Sequence, residues 1–154
     1  MFSINLNQKP NVIVNDYDTQ DGQFVGNTDC KAIAIGPSSY RNGISVKIQR
    51  YITQSNNISK WSRQSEELPL HRSVDSVIFL VAELINKGFS KGGKIVPPSQ
   101  MTYPYVQGRN MNIIRPNYPG KTPEQRYEKE LQTEFVQLDD RFQELSNLLK
   151  KMGY

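Results

Sequence analysis

Ile44-Ser45-Val46-Lys47-Ile48-Gln49 alternates aliphatic and polar side chains residue by residue, the period-two pattern of a strand with one face turned to a core. On that reading Ile44, Val46 and Ile48 face inward, and Ser45, Lys47 and Gln49 face out. Upstream, Lys31-Ala32-Ile33-Ala34-Ile35 has the length and composition of a second strand, ended by Gly36-Pro37, and Val12-Ile13-Val14 reads as a short buried one. Between them, Asn15 to Asp29 is crowded with Asp, Asn and Gly, residues that favour turns because Asx side chains bond their own backbone and Gly accepts positive φ. Downstream, the polar loop Gln54-Ser55-Asn56-Asn57 leads to a hairpin partner over Ile58 to Ser65.

Helix is expected next. Val74, Val77, Ile78, Val81, Leu84 and Ile85 recur at three- and four-residue spacings, Pro69 suits a first helical turn and Gly88 a C-terminal cap, so this helix is expected to pack on the sheet. The following stretch, punctuated by Pro97, Pro98, Pro104, Pro116 and Pro119, reads as an irregular excursion with a strand at Asn112-Ile113-Ile114. Thr122-Pro123-Glu124-Gln125 then has the residue order of a helix start. From there Leu131, Phe135, Leu138, Phe142, Leu145, Leu149 and Met152 repeat in a four–three rhythm, a heptad seam suited either to self-association or to packing on its own domain. The expected class is α+β: a small, mainly antiparallel sheet with one packed helix and a long C-terminal helix. Residues 1–121 would form the ligand-binding domain and 122–154 an oligomerisation or docking helix.

The single cysteine, Cys30, excludes an internal disulfide and any multi-cysteine zinc site. Neither a signal-peptide pattern nor an apolar run of membrane-spanning length is visible, so a cytoplasmic protein without membrane insertion is expected.

The charge distribution carries the functional expectation. Lys31 to Ser65 contains Lys31, Arg41, Lys47, Arg50, Lys60 and Arg63 without any Asp or Glu, and Asn86 to Lys121 contains Lys87, Lys91, Lys94, Arg109, Arg115 and Lys121, again without an acid. Surfaces normally intersperse both signs, so two acid-free stretches point to an anionic partner. Tyr40, Tyr51, Trp61, Phe89, Tyr103, Tyr105 and Tyr118 lie in the same stretches, and rings beside cations suit a base with its phosphate.

The densest segment is Lys60-Trp61-Ser62-Arg63-Gln64-Ser65-Glu66-Glu67-Leu68-Pro69-Leu70-His71-Arg72. If extended, it sets Trp61 and Arg63 on one face, ring beside planar fork; the bland alternative makes Trp61 a core residue and Arg63 a partner of Glu66 or Glu67. Together with Gly26-Asn27-Thr28-Asp29, this segment resembles a family of uncharacterised bacterial and phage proteins known only as a domain of unknown function, over roughly residues 10 to 85. The resemblance implies a small α+β cytosolic protein and no activity.

Other chemistries have weaker signals. His71, the sole histidine, has Asp75 four residues on, and with Glu66 or Glu67 these could serve a phosphoester or nucleotide hydrolase, but no nucleophile elbow or oxyanion turn accompanies them. Asp16-Tyr17-Asp18-Thr19-Gln20-Asp21-Gly22 misses the glycine and glutamate of a calcium loop, leaving only a sparse magnesium site at Asp16, Asp18 or Asp21 as an alternative to turn chemistry. Gly88-Phe89-Ser90-Lys91-Gly92-Gly93-Lys94 lacks phosphate-loop spacing.

The expectation is therefore a non-catalytic binder of a small phosphorylated, nucleotide-like ligand, of the kind that could sequester a nucleotide immune signal in phage anti-defence. It needs no metal or cofactor and forms a homo-oligomer through its C-terminal helix. Nucleic-acid binding and hydrolysis using His71, Asp75 and Glu67 are the alternatives. Trp61, Arg63, Lys60, Lys47 and Arg50 are the first candidates for ligand contact; Tyr103, Tyr105, Arg109 and Arg115 are the second. Lys47 and Arg50 cannot both point the same way from a regular strand.

Overall fold

A computed structural model describes residues 10–38, 42–53, 59–61, 66–94, 96–115, 119 and 124–154, with the backbone alone at 15, 52–53, 59–61 and 94. The chain falls into two compact units, Met1–Ser76 and Val77–Tyr154. The fold is α+β: an antiparallel sheet, a helix after it and a long C-terminal helix.

In the first unit, strands β1 (Val12–Asn15), β2 (Cys30–Pro37), β3 (Ile44–Thr53) and β4 (Ser59–Trp61) pair in that order, and β5 (Glu66–Pro69) also pairs with β3. The ten-residue β3 organises the sheet. Along one edge it matches β2; along the other, Ser45 to Ile48 take β5 and Tyr51 to Thr53 take β4. The polar segment before β2 forms two short 3-10 turns, Tyr17–Thr19 and Gly22–Phe24, entered with Asp16 in the left-handed region at φ 56°. The loop 54–57 lies outside the described residues, as do residues 62–65 of the expected hairpin arm. Pro69 ends β5 opposite Ser45 instead of opening the helix, which starts at Leu70.

The strand pattern is correct, but its faces are inverted. Ser45, Lys47 and Gln49 are the buried side of β3, at 1%, 3% and 3% exposure, whereas Ile44 is 45% exposed and Val46 and Ile48 are half-buried. The neighbours explain the inversion. Register sets Gly36, Ala34 and Ala32 beside Ser45, Lys47 and Gln49, and the small residues leave room for longer polar chains. Glu67 on β5 stands opposite Lys47 and offsets part of what burial would otherwise penalise: its Oε1 accepts from Ser45 Oγ at 2.7 Å, and its Oε2, which accepts no hydrogen bond from a described residue, lies 3.8 Å from the Lys47 Nζ charge. Period two alone cannot say which face is covered.

Helix α1 (Leu70–Asn86) begins in the first unit and continues into the second, where it ends with Gly88 at φ 79°, a conformation glycine adopts without strain. Two hairpins follow: β6 (Phe89–Ser90) with β7 (Gly93–Lys94), and β8 (Tyr105–Val106) with β9 (Arg109–Asn110). The β8–β9 turn places Gln107 and Gly108 at φ 51° and 77°, the positive-φ pair that suits the twist of a two-residue hairpin. The strand expected at 112–114 does not form, because the pairing falls to these shorter segments instead. Helix α2 (Glu124–Met152) closes the chain, and the expected cap at Thr122-Pro123 lies outside the described residues.

The core of the second unit is Leu84, Phe89 and Phe135, with Leu80, Leu131, Leu138 and Phe142 against it; the two phenylalanine rings are 5.0 Å apart and tilted at 39°. The expected α1 stripe is covered in part: Leu84 is buried and Ile78 and Val81 half-buried. Ala82, Glu83 and Leu84 are the buried residues of α1, while Val74 is 58% exposed and Ile85 41%. Glu83 tolerates burial because it accepts both Arg115 guanidinium nitrogens, at 2.9 and 2.7 Å, and Tyr127 Oη at 3.3 Å.

Candidate functional site

In the first unit the 3-10 turns, the start of β2 and the end of β3 enclose a concavity of about 900 Å³. Its walls include Tyr17, Phe24 and Tyr51 as rings, Asp21, Asp29 and Glu66 as carboxylates, and Arg50 as the cation. Local geometry puts them there. Lys31 is an extra residue in β2, since Cys30 pairs with Arg50 and Ala32 with Gln49. Past this bulge, Tyr51 N donates to Asp29 O at 2.7 Å and Cys30 N to Thr28 Oγ1 at 3.0 Å, tying the turn segment to the strand end.

Arg50 spans the concavity's acids, with Nη1 2.7 Å from Asp29 Oδ1 and Nη2 2.5 Å from Glu66 Oε1. Its pKa is raised, first by the hydrogen bond to Glu66. Burial pushes the Cys30 thiol up, and Asp21 raises it further, with Asp29 and Glu66 in the same direction and Arg50 opposing. Among the described residues, three carboxylates against one guanidinium make this an acid-rich site whose cation is doubly engaged.

The described cations of the two acid-free stretches do not gather on this concavity. Lys31 pairs with Asp18, Lys47 with Glu67, Arg50 with Asp29 and Glu66, Lys87 with Glu124 and Glu128, and Arg115 with Glu83. Every one of these acids lies outside the acid-free windows, so segments remote in sequence neutralise each other on folding. Lys91 donates to Gln143 Oε1 at 3.0 Å.

Of the first candidates, Arg50 lies in the concavity. Lys47 is removed from ligand contact: it is buried on the opposite face of β3, and its charge is matched by Glu67. Lys60 and Trp61 hold register positions on β4 opposite Ile52 and Tyr51, which brings their backbone to the strand end that carries Arg50. Arg63 lies outside the described residues. Of the second set, Arg115 is committed to Glu83, while Tyr103, Tyr105 and Arg109 are exposed in the second unit and do not line this concavity. The hydrolase constellation is not assembled: Glu66 serves Arg50, Glu67 serves Ser45 and Lys47, and no side-chain hydrogen bond joins exposed His71 to Asp75 among the described residues. Of the magnesium candidates, Asp18 is in the ion pair with Lys31, and no group of three or more metal-ligating side chains occurs among the described residues.

Tyr17, Phe24, Asp29 and Glu66 are lining residues that the charge windows overlooked. A signal was available in Gly26-Asn27-Thr28-Asp29, which resembled the family yet received no role.

No helix among the described residues is long and apolar enough to cross a membrane. All of residues 1–154 match the model of a family of unknown function, DUF6530, and the chain belongs to that family. The match extends beyond residues 10 to 85, where the resemblance was read. No curated protein and no solved structure matches the chain.

Proposed function

Because the family carries no assigned activity, we propose from the residues themselves that this protein binds a small nucleotide-like ligand without turning it over, in the concavity beside Arg50 of the first unit. The observation that carries the reading is the β3–β4 register. It sets Trp61 at the strand position opposite Tyr51, and Tyr51 and its neighbour Arg50 line a ring- and carboxylate-bearing hollow. Rings suit a base, and carboxylates accept hydrogen bonds from sugar hydroxyls, as in dinucleotide sites. The phosphate falls to Arg50 at the cost of its present ion pairs. Binding without hydrolysis would suit sequestration of a nucleotide signal in a bacterial or phage setting.

Equilibrium dialysis of the full chain against a panel of cyclic and linear nucleotides tests this. At least one member should bind and be recovered unchanged, with affinity reduced about tenfold or more by Tyr51→Ala and by Arg50→Ala, and unchanged by Arg109→Ala. Binding by no member overturns the proposal, as does equal loss with Arg109→Ala. A steep fall of affinity for oligonucleotides with salt, without mononucleotide binding, would favour nucleic acid instead.

A further inference from the structure

The heptad seam of α2 is only half used within its own unit. Leu131, Phe135, Leu138 and Phe142 pack with Leu84 and Phe89, whereas Leu145, Leu149 and Met152 on the same seam are 36%, 41% and 72% exposed. Length explains the mismatch. The 29 residues of α2 extend about 43 Å at ~1.5 Å per residue, while the part of α1 in this unit, Val77 to Asn86, covers about 15 Å. Where that cover ends, an apolar groove of about 560 Å³ opens between Val81 and Ile85 of α1 on one side and Phe142, Leu145 and Leu149 of α2 on the other.

The charges on the groove identify an occupant. Of the charged residues lining it, Lys91 is engaged by Gln143 Oε1 at 3.0 Å, and Asp139 and Lys150 stand eleven residues apart on α2, about 16 Å apart along the axis. Neither makes an ion pair with a described residue. A second α2 laid in antiparallel would set its Lys150 on this Asp139 and its Asp139 on this Lys150, with Leu145 near the two-fold axis between them. Seam residues of the two helices would then interleave, Leu149 near the partner's Asp140 level and Phe142 near its Asn147 level. Lys150 and Lys151 would lie beside the acidic stretch Asp139, Asp140 and Glu144 of the other copy. A parallel pair would instead set Glu134 against Asp139 of the other copy, like charges at facing flank positions.

We propose that the groove over the C-terminal half of α2 is the docking site for a second copy of this chain, forming an isologous antiparallel helix pair closed by reciprocal Asp139–Lys150 contacts. This surface is independent of the concavity beside Arg50, so either proposal can fail alone. The isologous geometry means that each contact occurs twice and that any single charge reversal is felt twice.

The test is sedimentation equilibrium of the full chain with a charge-swap cycle. The wild type should be dimeric at micromolar concentration. Asp139→Lys and Lys150→Glu should each weaken the dimer by about tenfold or more, and the double variant should recover most of the loss, since the swapped charges again face opposites. Recovery also separates an interface effect from misfolding. In a Cys30→Ala background, oxidation should cross-link Leu145→Cys to its own copy and leave Met152→Cys without a cross-link, because antiparallel pairing holds the two copies of residue 152 about 22 Å apart along the axis. A wild type that stays monomeric overturns the proposal. A double variant as weak as the singles, or cross-linking at Met152→Cys, does the same.

Discussion

The two units solve the problem of an interior in opposite ways. The second buries Leu84, Phe89 and Phe135 and adds one carboxylate, Glu83, satisfied by Arg115 and Tyr127. The first buries Ala32, Ala34, Ser45, Lys47 and Gln49 on its sheet and leaves Val12, Ile35, Ile44 and Leu68 exposed. Its Lys47–Glu67 pair is nearly dry, at 4% and 2% side-chain exposure. An apolar core stabilises in proportion to area removed from water and tolerates approximate shapes; a buried ion pair contributes little net stability but demands one register. The second unit is thus held by packing, and the first is specified by partner identity.

The sharpest way to break that contrast is Lys47→Ala, which leaves the Glu67 carboxylate buried without its cation. We expect a loss of about 3–5 kcal/mol in denaturant unfolding, with Lys47→Met/Glu67→Leu recovering most of it. A double variant as unstable as the single would show that the pair is not the relevant unit. Phe135→Ala should cost a similar or slightly smaller amount, about 3–4 kcal/mol, through the cavity it leaves beside Phe89. A loss below about 1 kcal/mol would mean that α2 does not depend on this cluster. Glu83→Gln keeps shape and removes charge, so about 1–2 kcal/mol is expected, discounted because Arg115 is 38% exposed and rehydrates.

The smallest effect concerns pH. Tyr127 has its pKa raised, by burial first and then by Glu83. The folded state therefore holds this proton more tightly than the unfolded chain, so the contribution is present below the ordinary tyrosine value near 10 and is lost as pH rises from there through the folded value. Tyr127→Phe should flatten the stability decline of the second unit above pH ~10. An unchanged slope would exclude Tyr127 as its source.

Much of the fold was legible from local pattern. Period two located β3, Gly36-Pro37 marked the end of β2, and the four–three rhythm located α2, because these signals depend on residues a few positions apart. The candidate site was less legible. Arg50 was picked out for its charge, but Asp29 and Glu66, which hold it, lie 21 and 16 residues away, and no local signal joins them. For Lys31, Lys47, Arg50, Lys87 and Arg115 of the acid-free windows, the neutralising carboxylates come from other segments.

The strand character of β2 and β3 and the long helix α2 were determined by the amino-acid order alone, because backbone propensity and side-chain period are set within a turn or two. Which face of β3 is buried, which carboxylate neutralises each cation and how much of the α2 seam is covered were decided only by the tertiary structure. Burial and charge pairing are properties of neighbours in space, and a chain brings those neighbours together only when it folds.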